Sequence, residues 1–243
     1  MRNYEQELKN RIAFIQHALK DAHASAIVYG NSGGKDSALV GILCKKACDN
    51  TLGILMPCQS KRNFEEDMKD GLEVAEKFSI ARETIDLTPV KETFLSALEG
   101  KMEVSDLANA NINPRLRMMT LYAVAASRGA LVAGTGNRSE GYMGYFTKWG
   151  DGAYDFNPIA DLTVTEIYEF LAYLEAPENI IKKAPSAGLF EGQTDETEMG
   201  VTYAAIDRYL LEGKSDADTI EIIEKFHKRS EHKRQMPLTY PSN

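Results

Sequence analysis

Disulfide chemistry, membrane insertion and secretion find little support in this sequence, because the residues they need are scarce. The 243 residues include only three cysteines, Cys44, Cys48 and Cys58, which are too few for a disulfide framework. Cys44 and Cys48 have no histidine or further cysteine close to them in sequence, which favours packed thiols over metal ligands. No apolar run approaches the roughly 18 residues of a membrane-spanning helix, and charges such as Glu5 and Arg11 interrupt the N-terminal region that a signal peptide would occupy. We therefore expect a cytoplasmic protein.

Positive charge is also in short supply. The chain has 28 lysines and arginines against 36 aspartates and glutamates, a formal net charge of −8. This excess of acid argues against a nucleic-acid scaffold. A hydrophobic content of 43% and a charged content of 26% are ordinary for a globular protein, and the length suits one large domain or one domain with an appendage.

Short apolar runs alternate with segments of helical spacing along the chain. The runs predict strands at 25–29, 51–56, 82–86 and 129–134, and the spacing predicts helices at 3–23, 37–47, 63–78, 89–98, 113–128, 165–174, 200–212 and 216–227. This alternation predicts an α/β fold with a doubly wound parallel sheet, whose substrate site lies at the carboxyl ends of the strands. Residues 135–162 and 184–200, rich in glycine and polar side chains, are predicted to be functional loops, the second of them mobile.

The most informative segment stands between the first predicted strand and the helix that follows. It reads Gly30-Asn31-Ser32-Gly33-Gly34-Lys35-Asp36-Ser37. Gly33 and Gly34 allow positive φ angles and close approach to a ligand, and successive N–H groups at a helix N-terminus bind phosphate. A Walker A loop would need glycine at position 29 and serine or threonine at 36, where this chain has Tyr29 and Asp36. An aspartate in a phosphate loop indicates a cation, and Mg²⁺ binds one or two carboxylates together with phosphate oxygens.

A second candidate segment, Thr135 to Glu140, follows the fourth predicted strand directly. Because the carboxyl ends of parallel strands share one edge of a sheet, this segment should face the same crevice as the first loop. Glu140 is then a candidate second carboxylate for the cation that Asp36 binds. The alternative interpretation is a threonine that caps a helix beside an exposed glutamate.

Six segments in register resemble the ammonia-dependent NAD⁺ synthetases of the N-type ATP pyrophosphatase superfamily. They are SGGKDS (32–37), NANINPRLRM (109–118), GTGNRSE (134–140), GYFTKWGDGAYDFNPIADL (144–162), PSAGLFEGQTDETEMG (185–200) and HKR (232–234). The resemblance implies an adenine-nucleotide α-hydrolase-like fold, a homodimer, and the amidation of deamido-NAD⁺ by ammonia with ATP and Mg²⁺, through an adenylated intermediate that releases AMP and pyrophosphate. It also implies one domain over residues 1–243, with an ATP pyrophosphatase core at 1–135 and substrate loops, a lid and C-terminal helices at 136–243.

The resemblance assigns roles to individual residues. It places ATP on the segment 30–37 with Thr135 and Thr194, and Mg²⁺ on Asp36 and Glu140. It implies that the residues in contact with deamido-NAD⁺ are Arg115, Lys148, Asp155, His232 and Lys233. One position departs from the family pattern, since relatives commonly carry a lysine that reaches ATP phosphate where this chain has Val164. Lys182 or Lys183 is a candidate to supply that charge.

The chemistry implied by the resemblance explains why these residue types are needed. The nicotinate carboxylate and ATP are both anions, so Lys35, the loop amides and the cation on Asp36 must offset their repulsion. No protein nucleophile is required, and Ser32 and Ser37 are read as phosphate donors. Asp155 or a neighbouring acid is the candidate base that takes a proton from ammonium. The segment 184–200 is a candidate lid that keeps water from the adenylate.

Two rival functions remain at this point. Another member of the same superfamily, such as a GMP synthetase ATP domain or a tRNA thiolation enzyme, would share the phosphate loop, although the net acidity and the lack of cysteine pairs argue against thiolation. A nucleotide-binding module without catalysis would share the fold, but it would not need two carboxylates for a metal. Because the synthetase motifs run from residue 30 to residue 234, we expect no amidase domain and the use of free ammonia.

Overall fold

The computed structural model describes residues 2–59, 66–182 and 195–240. In chain order its elements are α1 (Tyr4–Asp21), β1 (Ala26–Gly30), α2 (Lys35–Ala47), β2 (Thr51–Leu55), α3 (Met68–Lys77), β3 (Ala81–Thr84), α4 (Thr88–Leu98), α5 (Asp106–Arg128), β4 (Ala130–Ala133), α6 (Arg138–Met143), α7 (Val164–Tyr173), α8 (Glu178–Lys182), α9 (Asp195–Met199), α10 (Tyr203–Glu212), α11 (Ala217–Arg229) and α12 (Glu231–Arg234). No helix within these ranges has the length and apolar character that would let it cross a membrane.

The four strands form one parallel sheet in the order β3-β2-β1-β4. The chain therefore winds outward from β1 through β2 to β3, and then returns to add β4 on the other side of β1. The change of direction lies between β1 and β4, and a parallel sheet of this kind opens a crevice there, beyond the carboxyl ends of the strands. The predicted α/β class and doubly wound parallel sheet are confirmed.

Successive residues of β1 are buried on opposite faces of the sheet, because side chains alternate between the two faces along a strand. Ile27 and Tyr29 enter an apolar cluster built with α1, α2 and α7, whereas Val28 enters a second cluster with β2 and α5. A third cluster joins α6, the start of α7, α10 and α11, and includes Val164 and Tyr203. The helix α7 belongs to the first and the third cluster, so it couples the C-terminal helices to the sheet.

Tyr29 is the largest side chain that is completely buried in the centre of the sheet. A Cβ atom added at Gly41 of α2 would lie 2.3 Å from its hydroxyl oxygen, and one added at Gly53 of β2 would lie 2.8 Å from it. The two glycines therefore leave the space that this ring occupies. The Tyr29 hydroxyl has no hydrogen-bond partner in the described part of the chain.

The structure corrects two of the predicted segments. The helix predicted to begin at residue 113 begins at Asp106 instead, with Ser105 as its cap, and Pro114 lies inside it. The prediction placed the start of the helix at residue 113 because proline is common in the first turn of a helix. Here Pro114 lies inside the helix, which tolerates a position without an N–H donor. The predicted loop 135–162 contains the short helix α6, which Asn137 caps. Most of the predicted mobile segment 184–200 lies outside the described residues, and its last part forms α9.

Candidate active site

One cavity of about 840 Å³ opens at the carboxyl ends of β1, β2 and β4. Each of the six segments that the sequence singled out contributes to its lining, the segment 185–200 through Asp195 and Glu198. The cavity therefore brings together residues that are spread over two hundred positions of the chain. This convergence follows from the parallel sheet, which sends every strand-end loop to the same edge.

The phosphate loop turns from β1 into α2 with two glycines in different conformations. Gly33 has a φ of +71°, and a Cβ atom there would lie 2.0 Å from the backbone oxygen of Asp67. Gly34 has an extended backbone and is the N-cap residue of α2. Because glycine has no side chain, no N-cap side chain accepts a hydrogen bond from the first turn of this helix. The Ser37 hydroxyl donates to the Gly34 carbonyl oxygen at 3.0 Å, which fixes the loop on the first turn of α2. The first-turn N–H groups of this helix form an anion-binding end.

Two carboxylates from different segments are held by one residue, Asn137. Asn137 donates through Nδ2 to Asp36 Oδ1 at 3.1 Å, and its backbone N–H donates to Glu140 Oε2 at 3.1 Å. Its Oδ1 accepts from the backbone N–H of Glu140 at 2.9 Å, which completes the capping box of α6. Sequence reasoning missed Asn137, although an asparagine three residues before a glutamate is a recognised helix-start signal.

The charges of this acid pair interact strongly. Burial, followed by the charge of Asp36, raises the pKa of Glu140 to about 8, and the charge of Lys35 partly opposes that shift. Two partly buried carboxylates that repel each other favour a cation between them. No group of three or more candidate metal ligands occurs among the described residues. The pair therefore suits a hard cation that takes its other ligands from a phosphate or from water.

Lys35 lies beside this acid pair. Its side chain is only 6% exposed, and Nζ donates to Asp36 Oδ2 at 2.7 Å. Nζ also lies 5.8 Å from the centroid of the Tyr203 ring. Burial works against its charge, but the nearby carboxylates of Asp36 and Glu140 prevail and raise the pKa of Lys35 above its usual value. The site thus carries a fixed positive charge at its base.

The opposite wall of the cavity is made by the loop 144–152 and the C-terminal helices. Lys233 donates to the carbonyl oxygens of Gly144 and Phe146, both at 2.8 Å. Burial lowers the pKa of Lys233, although Asp151 favours its charge. Lys148 donates to the carbonyl oxygen of His232. His232 and Lys233 both line the cavity, and these contacts tie the loop to α12.

Of the two neighbouring acids Asp151 and Asp155, only Asp151 lines the cavity. Asp151 lines the cavity and accepts from the backbone N–H of Thr147 at 2.9 Å. Burial raises the pKa of Asp151. Asp155, which like Asp151 is exposed to solvent, lies outside the cavity lining and accepts from the Val132 N–H at 2.7 Å and from the Tyr122 hydroxyl at 3.2 Å. The assignment of Asp155 to the reacting atoms stays a prediction, and Asp151 is the neighbouring acid whose side chain lines the cavity.

Comparison with known proteins decides the family. A family model described as NAD synthase matches residues 7–237. This chain belongs to the NAD synthase family.

Individual members of the NAD synthase family match the chain from end to end. The NH(3)-dependent NAD(+) synthetase of Carboxydothermus hydrogenoformans is 46% identical over 238 residues, which is 97% of each chain. Among solved structures, the NMN synthetase from Francisella tularensis is similar with a TM-score of 0.93 at 38% identity, covering 99% of both chains. The NH3-dependent NAD synthetase from Campylobacter jejuni is similar with a TM-score of 0.81 at 31% identity, covering 99% of this chain and 100% of the other. The resemblance found in the six segments is confirmed.

The remaining residues named for the NAD synthase family fall in three places. Thr135 lines the cavity directly after β4. Arg115 and Lys148 lie outside the cavity lining, although Arg115 Nη2 donates to the Lys148 carbonyl oxygen at 3.5 Å. Thr194 and Lys183 lie outside the described residues, and Lys182 forms an exposed ion pair with Glu178 away from the cavity.

Two further residues at the cavity were not anticipated as members of an NAD synthase site. Arg117, which the sequence left without a role, lines the cavity at the end of β2, where Nε donates to the Met56 carbonyl oxygen at 3.1 Å. Asp195 is 4% exposed at the start of α9 and accepts from the Tyr203 hydroxyl at 3.0 Å. Both lie within the six segments, but only the packing of distant elements shows that they reach the cavity.

Proposed function

We propose that this chain is an ammonia-dependent NAD⁺ synthetase, a carbon–nitrogen ligase that amidates deamido-NAD⁺ with ammonia and ATP. One observation carries the proposal: six segments typical of this family meet at a single cavity that has a phosphate loop and an acid pair on one side. Relatives that match 97% of this chain, among them the Carboxydothermus hydrogenoformans protein, carry the name NH(3)-dependent NAD(+) synthetase.

The first step joins two anions, and the residues at the phosphate loop offset their repulsion. The nicotinate carboxylate attacks the α-phosphorus of ATP, and the bond to pyrophosphate breaks. The N–H groups at the start of α2, the loop hydroxyls of Ser32 and Ser37, and the ammonium of Lys35 stabilise charge on the phosphates. Thr135, and Thr194 from beyond the described residues, are the proposed further contacts with ATP.

We assign Asp36 and Glu140 as the ligands of Mg²⁺. Their oxygens match the preference of this ion for carboxylates combined with phosphate oxygens, and the raised pKa of Glu140 reflects an acid pair that favours a cation. When bound, Mg²⁺ would supply neutralisation of the triphosphate charge. Asn137 holds both carboxylates in place through its amide group and its backbone N–H.

The second step needs neutral ammonia at the adenylated carboxylate, where AMP is the leaving group. Ammonia is mostly NH₄⁺ at neutral pH, so an acid must bind the cation and accept a proton. Asp151 is the acid of the loop 144–152 that lines the cavity, and Lys233 and Arg117 favour its ionised form. We therefore propose Asp151 as this base.

The substrate contacts implied for Arg115, Lys148, Asp155, His232 and Lys233 support a homodimer. His232 and Lys233 line the cavity, whereas Arg115, Lys148 and Asp155 lie outside its lining, toward solvent. A dinucleotide that touched all five would extend beyond the cavity lining, where a second copy would cover it. Exposed apolar side chains on α4 and α5, namely Val90, Phe94, Leu107 and Met119, offer a surface for the second copy. Phe94→Glu should shift the sedimentation coefficient to that of a monomer.

A direct assay tests the proposed reaction. The purified chain with Mg²⁺ and ATP should release pyrophosphate only when deamido-NAD⁺ is added, and should form NAD⁺ only when ammonium is also present. Glutamine in place of ammonium should give no NAD⁺. A nucleotide-binding module would release no pyrophosphate under any of these conditions, and that result would refute the proposal.

ATP as co-substrate and the three free cysteines are consistent with a cytoplasmic location.

A second candidate substrate is favoured by one comparison. The structure described as an NMN synthetase has a TM-score of 0.93 with this chain. That activity would amidate nicotinic acid mononucleotide, which carries the same carboxylate and lacks the AMP half. The two substrates should be compared by kcat/KM in the same assay. We expect a higher kcat/KM for deamido-NAD⁺. A higher kcat/KM for the mononucleotide would show that the mononucleotide is the substrate.

A further inference from the structure

Lys35 occupies an unusual place for a lysine in the first turn of a helix. It is the first residue of α2 and Asp36 is the second, and consecutive helical residues ordinarily point in different directions. Here the Lys35 side chain is buried and returns to Asp36, with Nζ 2.7 Å from Oδ2. Because Asn137 donates to the other oxygen, both oxygens of Asp36 are engaged.

The buried ammonium also serves the second acid. Its charge interacts with Glu140, which lies on α6 and shares Asn137 with Asp36. Lys35 is thus the cationic member of a group that it forms with the carboxyl groups of Asp36 and Glu140. The pair that suits a divalent cation already has a monovalent cation supplied by the chain itself.

The surroundings of Lys35 connect it with the departure at Val164. Its charge interacts with Tyr168, one turn beyond Val164 on α7, and Nζ faces the ring of Tyr203. Val164 is 4% exposed and shares an apolar cluster with Tyr203. Lys35 therefore brings an ammonium from α2 to the neighbourhood of α7, where the family resemblance implies a lysine at the position of Val164.

We propose that Lys35 is a resident counter-cation of the Asp36–Glu140 pair, which gives way when a divalent cation arrives with the triphosphate. An Asp36 oxygen that accepts from Lys35 must give up that contact before it coordinates a metal in the same direction, and the freed ammonium then pairs with phosphate. Consequently the nucleotide-free protein binds a divalent cation weakly, and the metal enters together with ATP. This inference rests on the proposed function only for the use of the acid pair as a metal site.

Lys91 provides a matched control, because it is another buried lysine in a different part of the fold. It is 4% exposed on α4 and lies outside the cavity lining. Its charged neighbours include Arg117 and the thiol of Cys58, not the acid pair. Lys91→Met therefore reports what the loss of any buried lysine does to the protein.

The test is a titration of the nucleotide-free protein with Mn²⁺, in which the electron paramagnetic resonance signal of the free ion measures how much Mn²⁺ remains unbound. Lys35→Met should raise the affinity for Mn²⁺ at least tenfold, which corresponds to about 1.4 kcal/mol. Lys35→Arg, which retains the cation, and Lys91→Met should bind Mn²⁺ as weakly as the wild type. Adding a non-hydrolysable ATP analogue should raise the wild-type affinity for Mn²⁺ at least tenfold and should narrow the difference from Lys35→Met.

Each alternative result has a defined meaning. Equal or weaker Mn²⁺ binding by Lys35→Met would overturn the inference, as would tight Mn²⁺ binding by the wild type without nucleotide. If Lys35→Met does not fold, Lys35→Gln takes its place. The Mn²⁺ affinity of the wild type with and without the ATP analogue tests the inference independently of either variant. A failure of the proposed function would appear separately, as a wild-type protein that forms no NAD⁺ while its Mn²⁺ titrations still behave as expected.

Discussion

Replacing Gly33 by alanine should disable the phosphate loop, whereas replacing its neighbour Gly34 should be tolerated. The two glycines are adjacent, but their backbones differ. Gly33 has a φ of +71° and a Cβ atom there would lie 2.0 Å from the Asp67 backbone oxygen. Gly34 has a φ of −95°, and its added Cβ would come no closer than 3.4 Å, to the hydroxyl of Ser32. The pair therefore separates backbone constraint from the mere addition of a methyl group.

The expected cost of Gly33→Ala has two parts. A non-glycine residue in the left-handed region loses about 1–2 kcal/mol. The contact with Asp67 cannot be relieved by a side-chain rotation, because the opposing atom is backbone, so either the loop or the segment before α3 must move, at a further cost of about 1–3 kcal/mol. The sum, about 2–5 kcal/mol, is a large part of the 5–15 kcal/mol that ordinarily stabilises a domain. Gly34→Ala should cost less than about 1 kcal/mol.

Two measurements check this reasoning. Urea unfolding should give the stability difference, and isothermal titration with the magnesium salt of a non-hydrolysable ATP analogue should show that Gly33→Ala loses binding even at temperatures where it remains folded. Gly34→Ala should bind the analogue within about threefold of the wild type, which is less than 1 kcal/mol. If the two variants matched each other in both stability and binding, the described conformation of the loop would be wrong.

The acid pair and the cavity give three more predictions. Asn137→Ala should lower the free energy of unfolding by about 2–4 kcal/mol, since it removes a helix cap and a hydrogen bond to the charged Asp36, whereas Asn137→Ser should retain the cap and lose less; equal losses in urea unfolding would contradict the cap. Glu140 has a pKa of about 8 in the ligand-free fold and an ordinary value of 4.5, so the folded state holds its proton more tightly and stability should fall as pH rises between these values. The free energy of unfolding should therefore depend less on pH in Glu140→Gln than in the wild type across that interval. The same pH dependence in both proteins would contradict the raised pKa. Asp151→Asn should lower kcat with ammonia by about 10²-fold or more while the KM for ATP changes little, whereas Asp155→Asn should have a smaller effect on kcat; the reverse order in steady-state kinetics would restore Asp155 as the base.

The sheet and the phosphate loop could be predicted because their signals are local. A short apolar run, a glycine-rich turn and a helical pattern follow one another within about twenty residues, and parallel strand ends must meet. For the same reason the sequence could place Asp36 and Glu140 at one edge before any coordinates were known. The interaction between their charges agrees with that expectation.

The choice between Asp151 and Asp155 could not be made from the sequence. The two acids lie four residues apart in one irregular segment, and both follow aromatic and glycine residues. A bridge between Ala133 and Phe156, with the Asp155 backbone N–H donating to the Val132 carbonyl oxygen at 2.9 Å, holds Asp155 beside β4. That contact depends on tertiary packing, for which no local pattern exists.

The burial of Lys35 was equally hidden. A lysine at the start of a helix after a phosphate loop is expected to extend toward the ligand, and its return to the adjacent Asp36 depends on Tyr203 and Glu140, which lie more than one hundred residues away. The position of Pro114 inside α5 is a similar case, because packing against β1 and β4 stabilises a helix that local rules would have shortened.

The ring of Tyr29 has an evolutionary consequence, because it occupies the room that Gly41 and Gly53 leave open. Neither glycine can acquire a side chain while the tyrosine stays, and a smaller residue at position 29 would leave a void that only larger neighbours could fill. These three positions, on three successive elements of the chain, should therefore drift as a linked set among homologues. Lineages that lose the aromatic ring should be those in which alanine or serine has entered at 41 or 53.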